Sequence, residues 1–223
     1  MAQAFDDSAR AALVAGARRV AEAGLVVGSA GNLSLRSGER VLITRGGSEL
    51  DALAHEDCVE VGLNESAIPE DHRSGRQPSS ELALHLAIYG ATDAAAIVHT
   101  HSHYATVLST VVQELPAIHY TINHFGGPVR VARYETFGTQ ELAASVIEAL
   151  RDRSGALMAN HGAVLTGRDV QDAAAKAILL EWLASVYYHA RLFGAPSILT
   201  AGELDAVRER AQRLRGTLKV TAR

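Results

Sequence analysis

The 223-residue chain contains a single cysteine, Cys58. An internal disulfide is therefore impossible, and so is a zinc site built from several thiolates. Any metal ion in this protein must be held by imidazole and carboxylate groups, and the ten histidines make such a site worth searching for.

The chain also lacks an excess of positive charge and long apolar runs. Its formal net charge is -4, so no global positive field is available to hold nucleic acid. No uninterrupted apolar run approaches the roughly 20 residues that a membrane helix needs. The first residues carry acid, Asp6 and Asp7, where a signal peptide carries base. We therefore expect a cytoplasmic protein that binds neither nucleic acid nor membrane.

Hydrophobic residues make up 48% and charged residues 21%, which is ordinary for a soluble globular protein. Predicted strands and helices alternate irregularly, without repeats or linkers. We expect one α/β domain over residues 1–223, with a mixed rather than a purely parallel sheet. The hydrophobic pattern and turn residues predict helices near residues 8–23, 81–89, 140–150, 170–193 and 202–215, and strands near residues 33–36, 41–44, 59–63, 94–100, 129–134 and 156–160.

Three histidines occupy alternate positions at the end of a predicted buried strand: His99, His101 and His103. Residues two apart in a strand share a face, so a pair of these could bind one ion. His161 follows another predicted strand, and three imidazoles would leave one zinc coordination position open for catalysis. Spacing does not choose among the four histidines. The alternative to a metal site is that these histidines lie at strand ends and make ordinary hydrogen bonds.

The segment Pro78-Ser79-Ser80-Glu81 ends a long polar loop and begins a predicted helix. Either serine could cap that helix, whose free N–H groups attract anions, and a glutamate suits the first turn. An ordinary capped helix explains the segment equally well.

Two glycine-rich segments, Gly28–Asn32 and Gly46–Ser48, could bind phosphate through backbone N–H groups. The first is not a dinucleotide-binding fingerprint, because that motif needs a strand before it and a helix after it. Here the predicted order is the reverse. Simple turns are the alternative interpretation of both segments.

Taken together, these segments resemble the class II aldolase/adducin-head family from about Ala9 to Ala190. The order of the motifs makes the resemblance specific. The family implies a three-layer α/β/α sandwich with a central mixed, largely antiparallel sheet, and a homotetramer with sites at subunit interfaces. The motifs are Gly31-Asn32, Ile43 to Gly47, Pro78-Ser-Ser-Glu81, Val98-His-Thr-His101, Ile118-His-Tyr120, Thr136-Phe-Gly-Thr139 and Asn160-His-Gly162.

The resemblance implies roles for individual side chains. It makes His99, His101 and His161 the ligands of a zinc ion, which manganese or cobalt could replace, and it leaves out His103. Glu81 matches the family's acid/base, which can also ligate the resting metal.

The same resemblance implies the substrate contacts. Tyr120 matches a tyrosine that enters the neighbouring subunit's site as a proton donor to the aldehyde. The substrate is expected to be a small phosphorylated sugar. Its phosphate is expected at Gly31, Asn32, Gly46, Gly47, Ser79 and Ser80.

Within the family, Glu81 and Tyr120 favour an aldolase, and the L-fuculose-1-phosphate enzyme is the named model that this sequence resembles. The expected reaction is reversible retro-aldol cleavage of a ketose 1-phosphate to dihydroxyacetone phosphate and a short aldehyde. Two positions depart from the aldolase pattern. Gly46 stands where a threonine or serine is usual, and the C-terminal segment lacks the tyrosine that the fuculose enzyme places over its site.

Other reactions would use the same metal site. They include sugar-acid phosphate decarboxylation, sugar phosphate dehydration, pentulose-phosphate 4-epimerisation and cleavage of a 5-deoxypentulose phosphate. The epimerase typically carries aspartate at the position of Glu81, which argues against this activity. The sequence Val98-His-Thr-His-Ser102, in contrast, resembles the epimerase motif. Adducin heads share the fold without the histidine ligands and act as interaction modules, so the three histidines argue against that role.

Overall fold

The computed structural model describes residues 5–64 and 77–221, with side chains of the last helix described as far as Leu214. Most of the polar loop predicted before Glu81 lies outside these residues. Over the described chain, the strands are β1 (Asn32–Ser37), β2 (Arg40–Thr44), β3 (Cys58–Gly62), β4 (Ala96–Thr100), β5 (Glu114–Leu115), β6 (Val129–Ala132), β7 (Gly155–Met158) and β8 (Gly162–Gly167).

Six α-helices complete the described chain, together with short 3-10 turns at His55–Asp57 and Tyr120–Phe125. None of these helices combines the length and the apolar character needed to span a bilayer. The helices are α1 (Asp7–Glu22), α2 (Leu82–Ala91), α3 (His103–Ser109), α4 (Gln140–Ala149), α5 (Val170–Phe193) and α6 (Ala201–Thr221).

The sheet has the strand order β3-β2-β1-β4-β8-β7-β6-β5. Only β6 and β7 pair in parallel among the described strands, and all other neighbours are antiparallel. The sheet is therefore mixed and largely antiparallel, as predicted. Because β1 and β8 flank β4, segments far apart in sequence meet at the end of this central strand.

Helices cover both faces of the sheet. Leu13 of α1 and Leu183 of α5 belong to one buried cluster, and Leu84 of α2 and Val146 of α4 belong to another. Along β4, Ala96 and Val98 pack into the first cluster and Ile97 between them packs into the second, as the two-residue period of a strand requires. These three layers confirm the predicted α/β/α sandwich.

Local chemistry explains how the helices begin. The side chain of Asp6 accepts a hydrogen bond from the N–H of Ala9 and caps α1. The serine cap predicted for α2 is wrong, because Glu81 itself is the N-cap residue. The side chain of Ser79 instead accepts a hydrogen bond of 3.3 Å from the N–H of Glu81, in the turn that precedes α2.

The hydrophobic pattern did not predict α3, β5 or β8. The strand β8 begins and ends with glycine and follows a histidine, so it carries weak strand signals. The helix α3 begins at His103, the last of the three alternate histidines that follow β4. Tertiary pairing with β4 and β7 is what defines β8.

Candidate metal centre

Four side chains converge at one end of β4: Glu81, His99, His101 and His161. Each offers one ligand atom, and these atoms all lie within 4.8 Å of one another. Glu81 directly precedes α2, His99 lies near the end of β4, and His101 lies just beyond it. His161 occupies the turn between β7 and β8.

Strand pairing brings His161 to the other two histidines. In the antiparallel pair of β4 and β8, Thr100 lies opposite Ala163, so the turn before β8 meets the end of β4. Gly162 is required there, because a Cβ atom at this position would collide with the carbonyl oxygen of Thr100. Asn160 has a φ of 56°, in the left-handed region that asparagine tolerates better than most residues.

The three imidazoles are arranged almost symmetrically. Their ring centroids are 4.8–4.9 Å apart, and each pair of rings is inclined by 71–76°. Nδ1 of His99 lies 3.0 Å from the carbonyl oxygen of Ala163 and donates its proton there. This hydrogen bond places a proton on Nδ1 and directs Nε2 toward the centre of the cluster, the nitrogen that would ligate a metal ion.

Burial keeps two of the imidazoles neutral near pH 7. It lowers the pKa of His101 to about 4, and the neighbouring His99 and His161 add to this effect. Burial likewise lowers the pKa of His161, again with help from His99. Neutral imidazoles are the form that binds metal ions, so these rings are prepared for ligation.

Glu81 is buried, and its two carboxylate oxygens have different surroundings. Oε2 lies 2.9 Å from Nε2 of His99 and accepts a hydrogen bond of 3.0 Å from the amide of Asn32. Oε1 lies 3.5 Å from Nε2 of His161 and has no hydrogen-bond partner. Burial works to raise the pKa of Glu81, but His99 and Asn32 outweigh it and hold that pKa well below its ordinary value.

This set of donors fits a divalent cation of the zinc type. Ligands 2.0–2.1 Å from a tetrahedral zinc ion are about 3.3 Å apart. The contacts of Glu81 with His99 and His161, and the contact between His99 and His101, measure 2.9 to 3.5 Å. A cation would also satisfy Oε1 of Glu81. Imidazole and carboxylate groups accept several first-row ions, so the donor set does not select one of them.

His103 is not part of this cluster, although strand spacing placed it on the same face as His99. The strand ends at Thr100 and α3 begins at His103, so the two-residue period stops before this residue. The His103 ring packs edge-on against Tyr104, with centroids 5.2 Å apart.

A cavity of about 340 Å³ opens beside the cluster. The side chain of Asn32 there contacts Glu81 and His85, while Ser79 is buried and Ser80 is exposed. All six residues expected around the phosphate line this cavity, namely Gly31, Asn32, Gly46, Gly47, Ser79 and Ser80.

Sequence reasoning missed several residues that line the same cavity. Arg45 directly precedes the Gly46-Gly47 turn, and Asn160 directly precedes His161, so their neighbours could have drawn attention to them. Phe137 lies within the Thr136–Thr139 motif and Tyr134 lies just before it; both are at the cavity rim, 64% and 63% exposed.

Tyr120 lies elsewhere on the molecule. It is 51% exposed and lines a separate groove beside α6, with Arg208 opposite it. Within one chain, the structure therefore does not bring Tyr120 to the cavity that contains Glu81.

Comparison with known proteins gives this geometry a context. The family described as Class II Aldolase and Adducin N-terminal domain matches residues 11–188. The 5-methylthioribulose-1-phosphate/5-deoxyribulose-1-phosphate aldolase of Rhodospirillum rubrum is 37% identical over 203 residues, which cover 90% of each chain. The L-fuculose phosphate aldolase of Escherichia coli K12 is 37% identical over 166 residues, which cover 74% of this chain and 75% of that one.

Solved structures agree with this relationship. A structure of L-fuculose 1-phosphate aldolase superimposes with a TM-score of 0.86 and 32% identity, covering 93% of this chain and 98% of that one. The family match spans most of the chain, and the relatives are aldolases of the metal-dependent class. The chain therefore belongs to the class II aldolase and adducin N-terminal domain family and is an enzyme of its aldolase branch, a carbon–carbon lyase.

Proposed function

We propose that this enzyme uses zinc to cleave a ketose 1-phosphate reversibly into dihydroxyacetone phosphate and a short aldehyde. The observation that carries the proposal is the buried Glu81 carboxylate, with one unpartnered oxygen, beside three converging imidazoles. This group borders a cavity lined by the residues expected to hold phosphate. The relatives named above act on L-fuculose phosphate and on 5-deoxyribulose 1-phosphate, and the proposed substrate is of one of these types.

His99, His101 and His161 would hold the metal, with Glu81 as a fourth ligand in the resting state. When bound there, a divalent cation supplies a Lewis acid for the negative charge that develops on the ketose oxygens. Zinc is the ion we propose, and manganese or cobalt would be accepted by the same donors.

Glu81 is the group that we assign to proton transfer at carbon. Retro-aldol cleavage breaks the bond between C3 and C4, and its electron pair stays on the donor fragment, which must then take up a proton on carbon. Oε2 is held by Asn32, whereas Oε1 has no hydrogen bond to any described group. The Oε1 atom is thus available to exchange a proton with the donor carbon.

The phosphate is proposed to bind at the other end of the cavity, at the six residues predicted from the resemblance. Gly46 supplies no hydroxyl there, but Arg45 adds a positive charge to the same lining. The Arg45 guanidinium lies 3.3 Å from a carboxylate oxygen of Asp57 and 3.3 Å from Oγ of Ser48, which orient it. A guanidinium suits a phosphate dianion in charge and in geometry.

The aldehyde end is proposed to lie toward Tyr134 and Phe137. These exposed aromatic rings provide apolar surface at the rim, which suits the terminal methyl group that both substrate types carry. Because Tyr120 lies away from its own cavity, we propose a homotetramer of single-domain subunits. The partner subunit's Tyr120 would protonate the aldehyde oxygen in the condensation direction, and in cleavage the proton of the C4 hydroxyl would leave by the same group.

A substrate panel tests this proposal. The untagged enzyme, with its metal content measured, is offered L-fuculose 1-phosphate, 5-deoxyribulose 1-phosphate, a pentulose 5-phosphate and a sugar-acid phosphate. We expect dihydroxyacetone phosphate from one or both ketose 1-phosphates. Release of carbon dioxide, or epimerisation without formation of dihydroxyacetone phosphate, would replace the aldolase proposal with another reaction of the same site.

A further inference from the structure

A buried chain of polar side chains leads from Glu81 into the interior, away from the cavity. The amide of Asn32, which donates to Oε2 of Glu81, has its oxygen 2.6 Å from Nε2 of His85. Nδ1 of His85 is 2.6 Å from Oγ of Ser34, which is 2.7 Å from the hydroxyl of Tyr89. The last three side chains are at most 1% exposed.

The donors and acceptors available on these side chains allow only one arrangement of the hydrogen bonds along the chain of groups. The ring of His85 is fully buried, and its two nitrogens meet only an amide oxygen and a hydroxyl, so we expect the neutral form with a single N–H. The amide oxygen of Asn32 can only accept, so that proton must sit on Nε2 of His85. Nδ1 then accepts from Ser34, and Ser34 in turn accepts from Tyr89.

The direction matters because the amide of Asn32 can face Glu81 in two ways. Backbone pairing places Asn32 opposite His99 in the register of β1 and β4, so its main chain is held by the sheet. A half-turn of the side-chain amide would exchange its nitrogen and oxygen. The oxygen would then face the carboxylate of Glu81, and two acceptors would meet without a proton between them.

We propose that His85 is a positioning residue for catalysis, acting through Asn32. Its Nε2–H holds the amide oxygen of Asn32, so that the amide nitrogen always faces Oε2 of Glu81. One carboxylate oxygen is thereby anchored while Oε1 stays unpaired toward the histidines. This inference rests on the proposed acid/base role of Glu81.

Two substitutions, His85→Gln and His85→Asn, distinguish a positioning role of His85 from a purely structural one, because both introduce an amide side chain. In His85→Gln, the longer side chain can place an N–H near the former Nε2 and retain the contact with Asn32. In His85→Asn, the shorter side chain reaches only the former Nδ1 and retains the contact with Ser34. Both leave a cavity in the core, so a purely structural role predicts similar losses of turnover in the two variants.

The experiment measures kcat, KM and thermal stability for both variants at saturating zinc. We expect His85→Asn to lower kcat by about 10- to 100-fold with little change in KM, as is usual for groups that orient a metal-site residue. His85→Gln should recover most of that loss. Ser109→Ala, which removes another buried hydroxyl far along the sequence from this chain of groups, should lower stability without lowering kcat.

A second measurement does not depend on turnover. Nitrogen-15 NMR of the metal-free protein should show His85 protonated on Nε2 and unprotonated on Nδ1. A proton on Nδ1, or equal losses of kcat in the Gln and Asn variants, would overturn the proposal. The NMR measurement reports the tautomer of His85 and does not require the enzyme to cleave a ketose phosphate. Failure of this inference can therefore be distinguished from failure of the proposed function.

Discussion

The Nε2 atoms of His99 and His101 lie 2.9 Å apart, although only His99 belongs to a strand. His99 donates its Nδ1 proton to the carbonyl oxygen of Ala163, and its Nε2 therefore faces the second ring. The lowered pKa of His101 disfavours an extra proton between the two nitrogens. A metal ion bound between these nitrogens would account for their short distance and would also satisfy the unpartnered oxygen of Glu81.

Metal content should depend on His161 and not on His103. We expect His161→Ala to lower bound zinc from near one ion per chain to a small fraction, because one of three imidazole ligands is lost. His103→Ala is the matched control and should keep its zinc, since His103 contacts Tyr104 outside the cluster. Elemental analysis of untagged protein measures both, and equal zinc loss in the two variants would count against the assigned ligands.

Replacement of Glu81 by glutamine should separate metal binding from catalysis. Glutamine keeps the size of the side chain and one oxygen, so we expect zinc content to be largely retained. It cannot exchange a proton as a carboxylate does, so kcat should fall by about 10²- to 10⁴-fold. Zinc content and turnover are measured on the same preparation, and unchanged turnover would exclude Glu81 as the acid/base.

The role proposed for Tyr120 predicts complementation between inactive variants. Tyr120→Phe should impair carbon–carbon cleavage more than proton exchange at the donor carbon of dihydroxyacetone phosphate. His161→Ala should impair both reactions. When the two variants are unfolded, mixed and refolded together, sites with intact ligands and a partner subunit's Tyr120 should form, and part of the cleavage activity should return.

Each variant refolded alone is the control for this mixing experiment. Proton exchange into dihydroxyacetone phosphate is followed by NMR in deuterated water. Absence of any recovery in mixed oligomers would contradict a site shared between subunits, and so would equal loss of exchange and cleavage in Tyr120→Phe.

The turn that carries His161 should be intolerant of a side chain at Gly162. A methyl group there would meet the carbonyl oxygen of Thr100, so Gly162→Ala should destabilise the fold by about 1–3 kcal/mol, as overpacking usually does. Gly90→Ala is the matched control, because nothing lies within 4 Å of the added group and Gly90 is within α2. Its helix should gain about 0.5–1 kcal/mol. Chemical denaturation measures both, and similar stabilities would contradict the close approach.

Local sequence predicted much of the fold correctly. The bounds of α5 agree with the predicted 170–193, since Asp169 caps the helix and a long apolar stripe follows. Boundaries failed where local signals were weak or ambiguous. The helix α2 begins after Glu81 instead of at a serine cap, and the short strand β8 was not recognised between its glycines.

The sequence by itself determined the chemistry that is available. A single cysteine restricted metal ligands to imidazole and carboxylate, and the order of motifs from Gly31-Asn32 to His161-Gly162 indicated the family. These conclusions need only residue types and their order along the chain, which is why they could be drawn before the structure was known.

Only the tertiary structure decided which groups meet. Pairing of β4 with β8 brings His161 to His99, and the turn into α3 takes His103 away. The contact of His85 with Asn32 joins residues 53 positions apart and had no local signal. Such contacts follow from the register of non-consecutive strands and the packing of helices on them, which the spacing of residues along one segment does not specify.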